Sequence, residues 1–306
     1  MSQETSVLDA PTVPQTAGRV FPAYGWLGLG LIALGEMLIL THWRPLSDYW
    51  FAVVWFGAIG VADAVIYRRD GRSLLMSRRR DLLLMLPLSA VGWWMFEFAN
   101  LFVQNWHYLQ PSDIPEWWKQ FWASIFFSTV IPAEFEAAML LWPVGWVQRR
   151  RGTRMLTASR LTLWLLPAVG LGWFLLAVTY PLYAYPLIWG SLALVLDPIN
   201  MLRGRPSILG YLARGDWRTP TALYAGGQLC GIMWEFWNYW AFPKWEYTIP
   251  WVGFWKIFEM PLLGYIGYGP FAWEVFALYQ FIRSFWPGLR RVEDTEEDSA
   301  LGGLGF

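Results

Sequence analysis

Apolar residues run almost unbroken through eight stretches of this chain, near 24–40, 49–67, 82–103, 121–147, 161–180, 182–199, 221–242 and 261–285, and polar residues gather in the segments between them. A helix rises 1.5 Å per residue, so about 20 apolar residues cross a hydrocarbon core roughly 30 Å thick. The pattern predicts an all-α integral membrane protein with eight transmembrane helices. Arginines follow spans two, four and six: Arg68, Arg69, Arg72 and Arg78 to Arg80, then Arg149 to Arg151 and Arg154, then Arg203, Arg205, Arg214 and Arg218. Short cytoplasmic loops carry the basic excess, so a multi-pass protein of the cytoplasmic (inner) membrane is expected, with both termini cytoplasmic. Arg44, Lys119, Lys244 and Lys256 are left on the outer side. Residues 1–20 lack the basic start and cleavage site of a signal peptide and read as a disordered tail. Residues 288–306, with Glu293, Asp294, Glu296, Glu297 and Asp298, read as an acidic solvated one.

Composition narrows the function. Of 306 residues, 56% are hydrophobic and 15% charged, with 24 Trp, and the formal charge is zero. Nucleic-acid binding needs a basic footprint, so that class is set aside. The single Cys230 and the two histidines, His42 and His107, cannot supply the ligands of a zinc or di-iron centre, and neither metal nor cofactor is called for. The outer loops, 105–120 and 243–260, are rich in Trp and Tyr, as side chains at the headgroup level of a bilayer are.

The chain also repeats itself. Trp55, Asp63 and Ser73 recur with the same separations as Trp189, Asp197 and Ser207, and the run from Met95 to Asn100 recurs from Met233 to Asn238. Trp106-His107-Tyr108 answers Trp245-Glu246-Tyr247, and Pro132 with Glu136 answers Pro270 with Glu274. Residues 21–154 and 155–287 thus read as two four-helix repeats. An even number of spans gives both copies one orientation, the parallel arrangement, with a cavity expected between them.

Acids inside the spans are the candidate chemistry, because a carboxylate at mid-bilayer costs roughly 2.5–3.5 kcal/mol on insertion scales. Glu97, Glu136, Glu235 and Glu274 are expected at comparable depth, two per half, with Glu134 close enough to Glu136 to join it. Asn100 and Asn238 follow Glu97 and Glu235 by three and share their helix faces. Such polar residues also serve as interhelical hydrogen-bonding groups. Buried away from cations, the glutamates are expected to be protonated and to donate protons, while Asp63 and Asp197 are expected to pair with Arg68 and Arg203. Trp93, Trp94, Phe96, Trp234, Trp237 and Trp240 flank the acids, and aromatic faces stabilise cations by about 2 kcal/mol or more when desolvated. That combination points to protonation of an alkene, followed by cyclisation, hydration or isomerisation.

The stretches Asn238-Tyr239-Trp240-Ala241, Trp245-Glu246-Tyr247 and Pro270-Phe271-Ala272-Trp273-Glu274, with Pro132-Ala133-Glu134-Phe135-Glu136 in the first half, resemble the membrane-embedded lycopene cyclase domain of carotenoid pathways. The resemblance implies two similar multi-span units, an isoprenoid substrate and intramembrane acids acting without redox change. The family's adjacent acids after the proline, and its Asp at the positions of Asn100 and Asn238, are missing. The expected partners are the lipid bilayer and an apolar small molecule, with a homo-oligomer left open. A proton- or cation-coupled transporter shares many of these features, and a non-enzymatic membrane assembly subunit is the third reading. The second half, with Glu235, Glu274, Trp245 and Tyr247, is expected to carry the working site.

Overall fold

The computed structural model describes residues 19–286 and 299–306; most of the predicted N-terminal tail and the acids from Glu293 to Asp298 lie outside the described residues. Among them, apolar continuity produces the long helices α1 (Ala23–Thr41), α2 (Trp50–Asp70), α4 (Arg79–Val103), α8 (Arg160–Thr179) and α12 (Arg218–Trp240). Shorter helices α3 (Leu74–Ser77), α5 (Glu116–Phe127), α6 (Val130–Leu141), α7 (Gly145–Gln148), α9 (Pro181–Ala184), α10 (Ile188–Leu202), α11 (Ile208–Ala213), α13 (Tyr268–Arg283) and α14 (Ala300–Gly303) complete the all-α body. Two small antiparallel ladders sit among them, β1 (Trp106–Leu109) with β2 (Lys244–Tyr247), and β3 (Lys256–Ile257) with β4 (Met260–Pro261).

Among the described residues, six helical segments are long and apolar enough to cross a membrane: Ala23–Thr41, Leu46–Asp70, Arg79–Val103, Glu116–Leu141, Arg160–Thr179 and Pro181–Leu202. The two further expected spans, α12 and α13, are not among them. Both are interior helices: α12 packs on α6 and α13, and α13 on α10 and α12. Eleven of the 16 residues of α13 are buried. A helix shielded by other helices does not need a lipid-compatible surface, and α12 carries Gln228, Glu235 and Asn238 where the outer helices carry Leu and Val. Glycine sets the closest approach of the outer pairs. A β-carbon on Gly28 would lie 2.8 Å from the Gly57 carbonyl where α1 meets α2, and one on Gly170 2.6 Å from the Ser191 carbonyl where α8 meets α10, as small residues permit between membrane helices.

Asp63 and Asp197 do not pair with Arg68 and Arg203 as expected. Asp63 accepts from the Leu75 backbone N–H at 2.8 Å, the Ser73 hydroxyl at 2.8 Å and the Tyr24 phenol at 2.6 Å. Asp197 accepts from the backbone N–H groups of Ile208 and Leu209 at 2.6 and 2.8 Å. Each carboxylate satisfies the free donors at the start of a short helix, α3 or α11, whose N-cap is Ser73 or Ser207. Those N–H groups have no partner inside the helix, whereas a surface arginine already has water.

The end of the chain departs from the expected solvated tail. Leu301, Leu304 and Phe306 are buried, and the Phe306 ring lies 5.6 Å from Phe135 and from Tyr279. Thr219 Oγ1, Gln280 Nε2 and Arg283 donate to the carbonyls of Gly303, Leu304 and Gly305 at 2.6, 2.8 and 2.6 Å. The acidic run in the sequence masks an apolar segment behind it that packs like any core strand of side chains.

Candidate functional site

A cavity of about 680 Å3 lies where β1 and β2 meet the ends of α4, α10, α12 and α13. It falls within the range of small-molecule sites. Asn100 and Asn238 stand behind its wall and hold the backbone of the lining residues Asn105, Trp106 and Trp245. Asn100 Nδ2 donates to the Trp106 carbonyl at 2.7 Å while its Oδ1 accepts from the Asn105 N–H at 2.9 Å. Asn238 Nδ2 and Oδ1 bind the Trp245 carbonyl and N–H, both at 2.8 Å. These amides fold the chain back after α4 and α12, and the returning segments pair antiparallel. Trp106 stands opposite Tyr247, Tyr108 opposite Trp245, and His107 opposite Glu246. The two asparagines, expected on the helix faces of Glu97 and Glu235, position backbone through both amide atoms. Asn238→Ala is expected to lower stability by about 1–3 kcal/mol for two lost hydrogen bonds and to shift tryptophan emission to the red, measured by fluorescence during thermal unfolding in detergent.

The register brings matching side chains to Glu97 and Glu235. Glu97 Oε1 accepts from Trp93 Nε1 at 2.9 Å, Trp106 Nε1 at 3.0 Å and the Tyr108 hydroxyl at 2.5 Å. Glu235 Oε1 accepts from the hydroxyls of Tyr247 and Tyr268 at 2.6 and 2.7 Å, with Trp245 Nε1 at 3.4 Å. In both carboxyls every hydrogen bond ends on one oxygen. Glu97 forms part of the cavity wall, whereas Glu235 is fully buried behind Tyr247 and Tyr268, which do. Burial, and then the charge of Glu235, push the Tyr247 phenol well above its ordinary value, so it stays a hydrogen-bond donor throughout the physiological range.

The other acids are dispersed rather than gathered in pairs. Glu274 Oε1 accepts from the Leu192 N–H at 2.8 Å. That donor is free because α10 is broken at Trp189 and Gly190, the glycine having φ 130°, a conformation that excludes a side chain at low cost. Glu134 and Glu136, two apart on α6, point to different neighbours. Glu134 Oε2 lies 3.1 Å from where a β-carbon on Gly227 of α12 would stand, whereas Glu136 lies in electrostatic reach of Asp63 on α2. Both oxygens of each are buried without hydrogen-bond partners.

Of the aromatic candidates, Trp93, Trp94, Trp234, Trp245 and Tyr247 line the cavity. Phe96 lies behind the wall, stacked on Trp189 at 5.5 Å. Trp237 is buried away from the cavity against Trp55, with its Nε1 3.5 Å from Glu36. Trp240 is half-exposed beside Tyr239, outside the site. Wall residues that the sequence did not mark as site candidates include Trp189, Tyr268, Phe271, Trp106 and Tyr108. Trp106 and Tyr108 were legible as counterparts of Trp245 and Tyr247. Trp189 was legible only as a repeat position, since its place on the wall depends on the break in α10. Among the described residues no three His, Cys, Asp or Glu side chains converge as a metal site requires. Comparison with protein-family models, with curated proteins and with solved structures finds no match.

Proposed function

We propose that the chain is a membrane enzyme performing acid-catalysed, non-redox modification of an apolar isoprenoid or carotenoid-like substrate, by cyclisation, hydration or isomerisation. The observation that carries this reading is a carboxyl group, Glu97, set in the wall of a predominantly apolar cavity beside the aromatic side chains of Trp93, Trp106, Trp189 and Phe271. In the same proposal α12 and α13 complete eight spans as two parallel four-helix repeats, with both termini on the cytoplasmic side of the inner membrane. The equivalent Asp63 and Asp197 caps and the symmetric pairing of β1 with β2 support it.

In this proposal the proton is delivered from Glu97 Oε2, the oxygen not taken by the three donors on Oε1. Its O–H bond breaks as a C–H bond forms at one end of a substrate double bond, leaving a carboxylate and a tertiary carbocation. A neighbouring double bond closes on the cation, and loss of a proton from the adjacent carbon to the carboxylate restores Glu97. In the hydration branch a water supplies the oxygen and its proton returns instead. Trp93, Trp189, Trp234 and Phe271 present the faces that stabilise the cation, and the exclusion of bulk water strengthens that attraction.

Expression in a lycopene-accumulating bacterium, with chromatography of the extracted pigments, tests the reading. Wild type is expected to give a cyclised or hydrated product that Glu97→Gln at equal membrane level does not. Unchanged pigment with wild type removes the carotenoid assignment. One observation favours a second reading, a proton- or cation-coupled transporter: the Leu192 N–H beside the break in α10 donates to the buried Glu274, and broken helices beside buried acids are a device of secondary transporters.

A further inference from the structure

The cavity wall is not uniform, and its asymmetry bears on the ligand. On the second-half side, Tyr185, Pro186, Ile249, Val252, Leu263 and Ile266 form an apolar arm. On the first-half side, Trp118, Trp122 and Phe126 line the wall at successive turns of α5, and Gln110, Lys119 and Gln120 complete that side, the two glutamines being exposed and so forming its solvent-facing rim. A ligand made only of hydrocarbon has no use for that rim.

Charges near the rim are mutually occupied and acidic on balance. Arg44 pairs with Asp48 and Asp113, Lys119 lies 3.7 Å from Glu116, and Lys244 lies 2.5 and 3.5 Å from Glu259 and Glu246. Three cations face five carboxylates. A phosphate or carboxylate head would meet net repulsion. The side-chain amides of Gln110 and Gln120 are different: both lie at the rim, both are exposed, and each offers a donor and an acceptor.

We propose that the ligand is amphiphilic and uncharged: an isoprenoid chain bearing a hydroxyl or carbonyl group, with that group at Gln110 and Gln120. The chain passes Glu97 and ends among the aromatic and aliphatic residues of the opposite arm. This rests on the isoprenoid reading above and narrows its substrate class from hydrocarbons to oxygenated isoprenoids. An enzyme that introduces or leaves oxygen at one chain end must then act before this one.

The test uses the full-length protein in lipid nanodiscs and titrates intrinsic tryptophan fluorescence with three probes of one chain length: geranylgeraniol, its parent hydrocarbon and its diphosphate. The alcohol is expected to bind about tenfold more tightly than the hydrocarbon, as one to two net hydrogen bonds give, and more tightly than the diphosphate. Changing Gln110→Leu and Gln120→Leu together is expected to erase the preference for the alcohol while the hydrocarbon binds as before, which also reports that the variant is folded. Equal affinity for alcohol and hydrocarbon, or a preference that survives the double variant, overturns the proposal and leaves the isoprenoid reading standing. Tightest binding of the diphosphate overturns the uncharged head alone. Absence of binding by all three removes the isoprenoid reading and this proposal with it.

Discussion

Arg283→Met is expected to destabilise the folded protein by about 3–5 kcal/mol, because it removes the more buried of the two guanidiniums that pair with a buried carboxylate. Asp81 on α4 is 1% exposed and is held by Arg283 Nε at 2.7 Å, the Tyr279 hydroxyl at 2.5 Å and Arg78 Nε at 2.9 Å. Arg283 and Tyr279 belong to α13, so the cluster joins two helices far apart in sequence. The same guanidinium donates to the Gly305 carbonyl at 2.6 Å, which couples the terminal segment to the bundle. Methionine fills most of the volume and removes both functions. Adding Asp81→Asn to Arg283→Met removes the buried charge left with Arg78 as its ion-pair partner and is expected to recover at least half of the loss. Thermal unfolding in detergent, followed by tryptophan fluorescence, measures both variants. A single variant within about 1 kcal/mol of wild type would show that Arg78 and Tyr279 alone suffice for Asp81.

The sequence reports side-chain spacing well and through-space partners poorly. Trp55, Asp63 and Ser73 recur at fixed intervals as Trp189, Asp197 and Ser207, and in the structure the recurrent Asp and Ser do the same work at α3 and α11. The partner was misjudged because Arg68 is nearer along the chain than Leu75, while Gly71 (φ 76°) turns the chain back and brings the Leu75 N–H to Asp63. Glu134 and Glu136 show the same limit from the other side. Two residues apart on a helix means about 200° of rotation, so adjacency in sequence argues against a shared site. Periodicity alone could have told them apart. Stretches 221–242 and 261–285 read as spans by apolar content, yet α12 and α13 are not among the six segments long and apolar enough to cross a membrane, since their packed faces carry Gly, Asn, Gln and Glu in place of Leu. The break in α10 could not be read locally: Gly190 permits it, but Glu274, 82 residues away from Leu192, occupies its donor.

Glu97→Gln and Glu235→Gln are expected to part company, although the two acids occupy matching positions. In each variant the remaining amide oxygen can still accept the three donors that converge on Oε1, so both proteins are expected to fold and bind alike. Only Glu97 stands on the cavity wall. On the acid-catalysed reading proposed above, its substitution removes the proton that the reaction transfers, and the loss in turnover is expected at about 10²–10⁴-fold, the range of a missing general acid, with KM little changed. Glu235 acts through Tyr247 and Tyr268, so Glu235→Gln is expected to cost within about tenfold, as a positioning change does when the hydrogen bonds persist. Product formation per unit of membrane protein, measured at several substrate levels, separates the two. Equal losses in both variants would mean that the proton is shared across the β1–β2 pair. A larger loss at Glu235 would move the acid to the second half and make Tyr247 or Tyr268 the group that meets the substrate. The matched geometry makes this comparison informative, because the variants differ in cavity access and in little else.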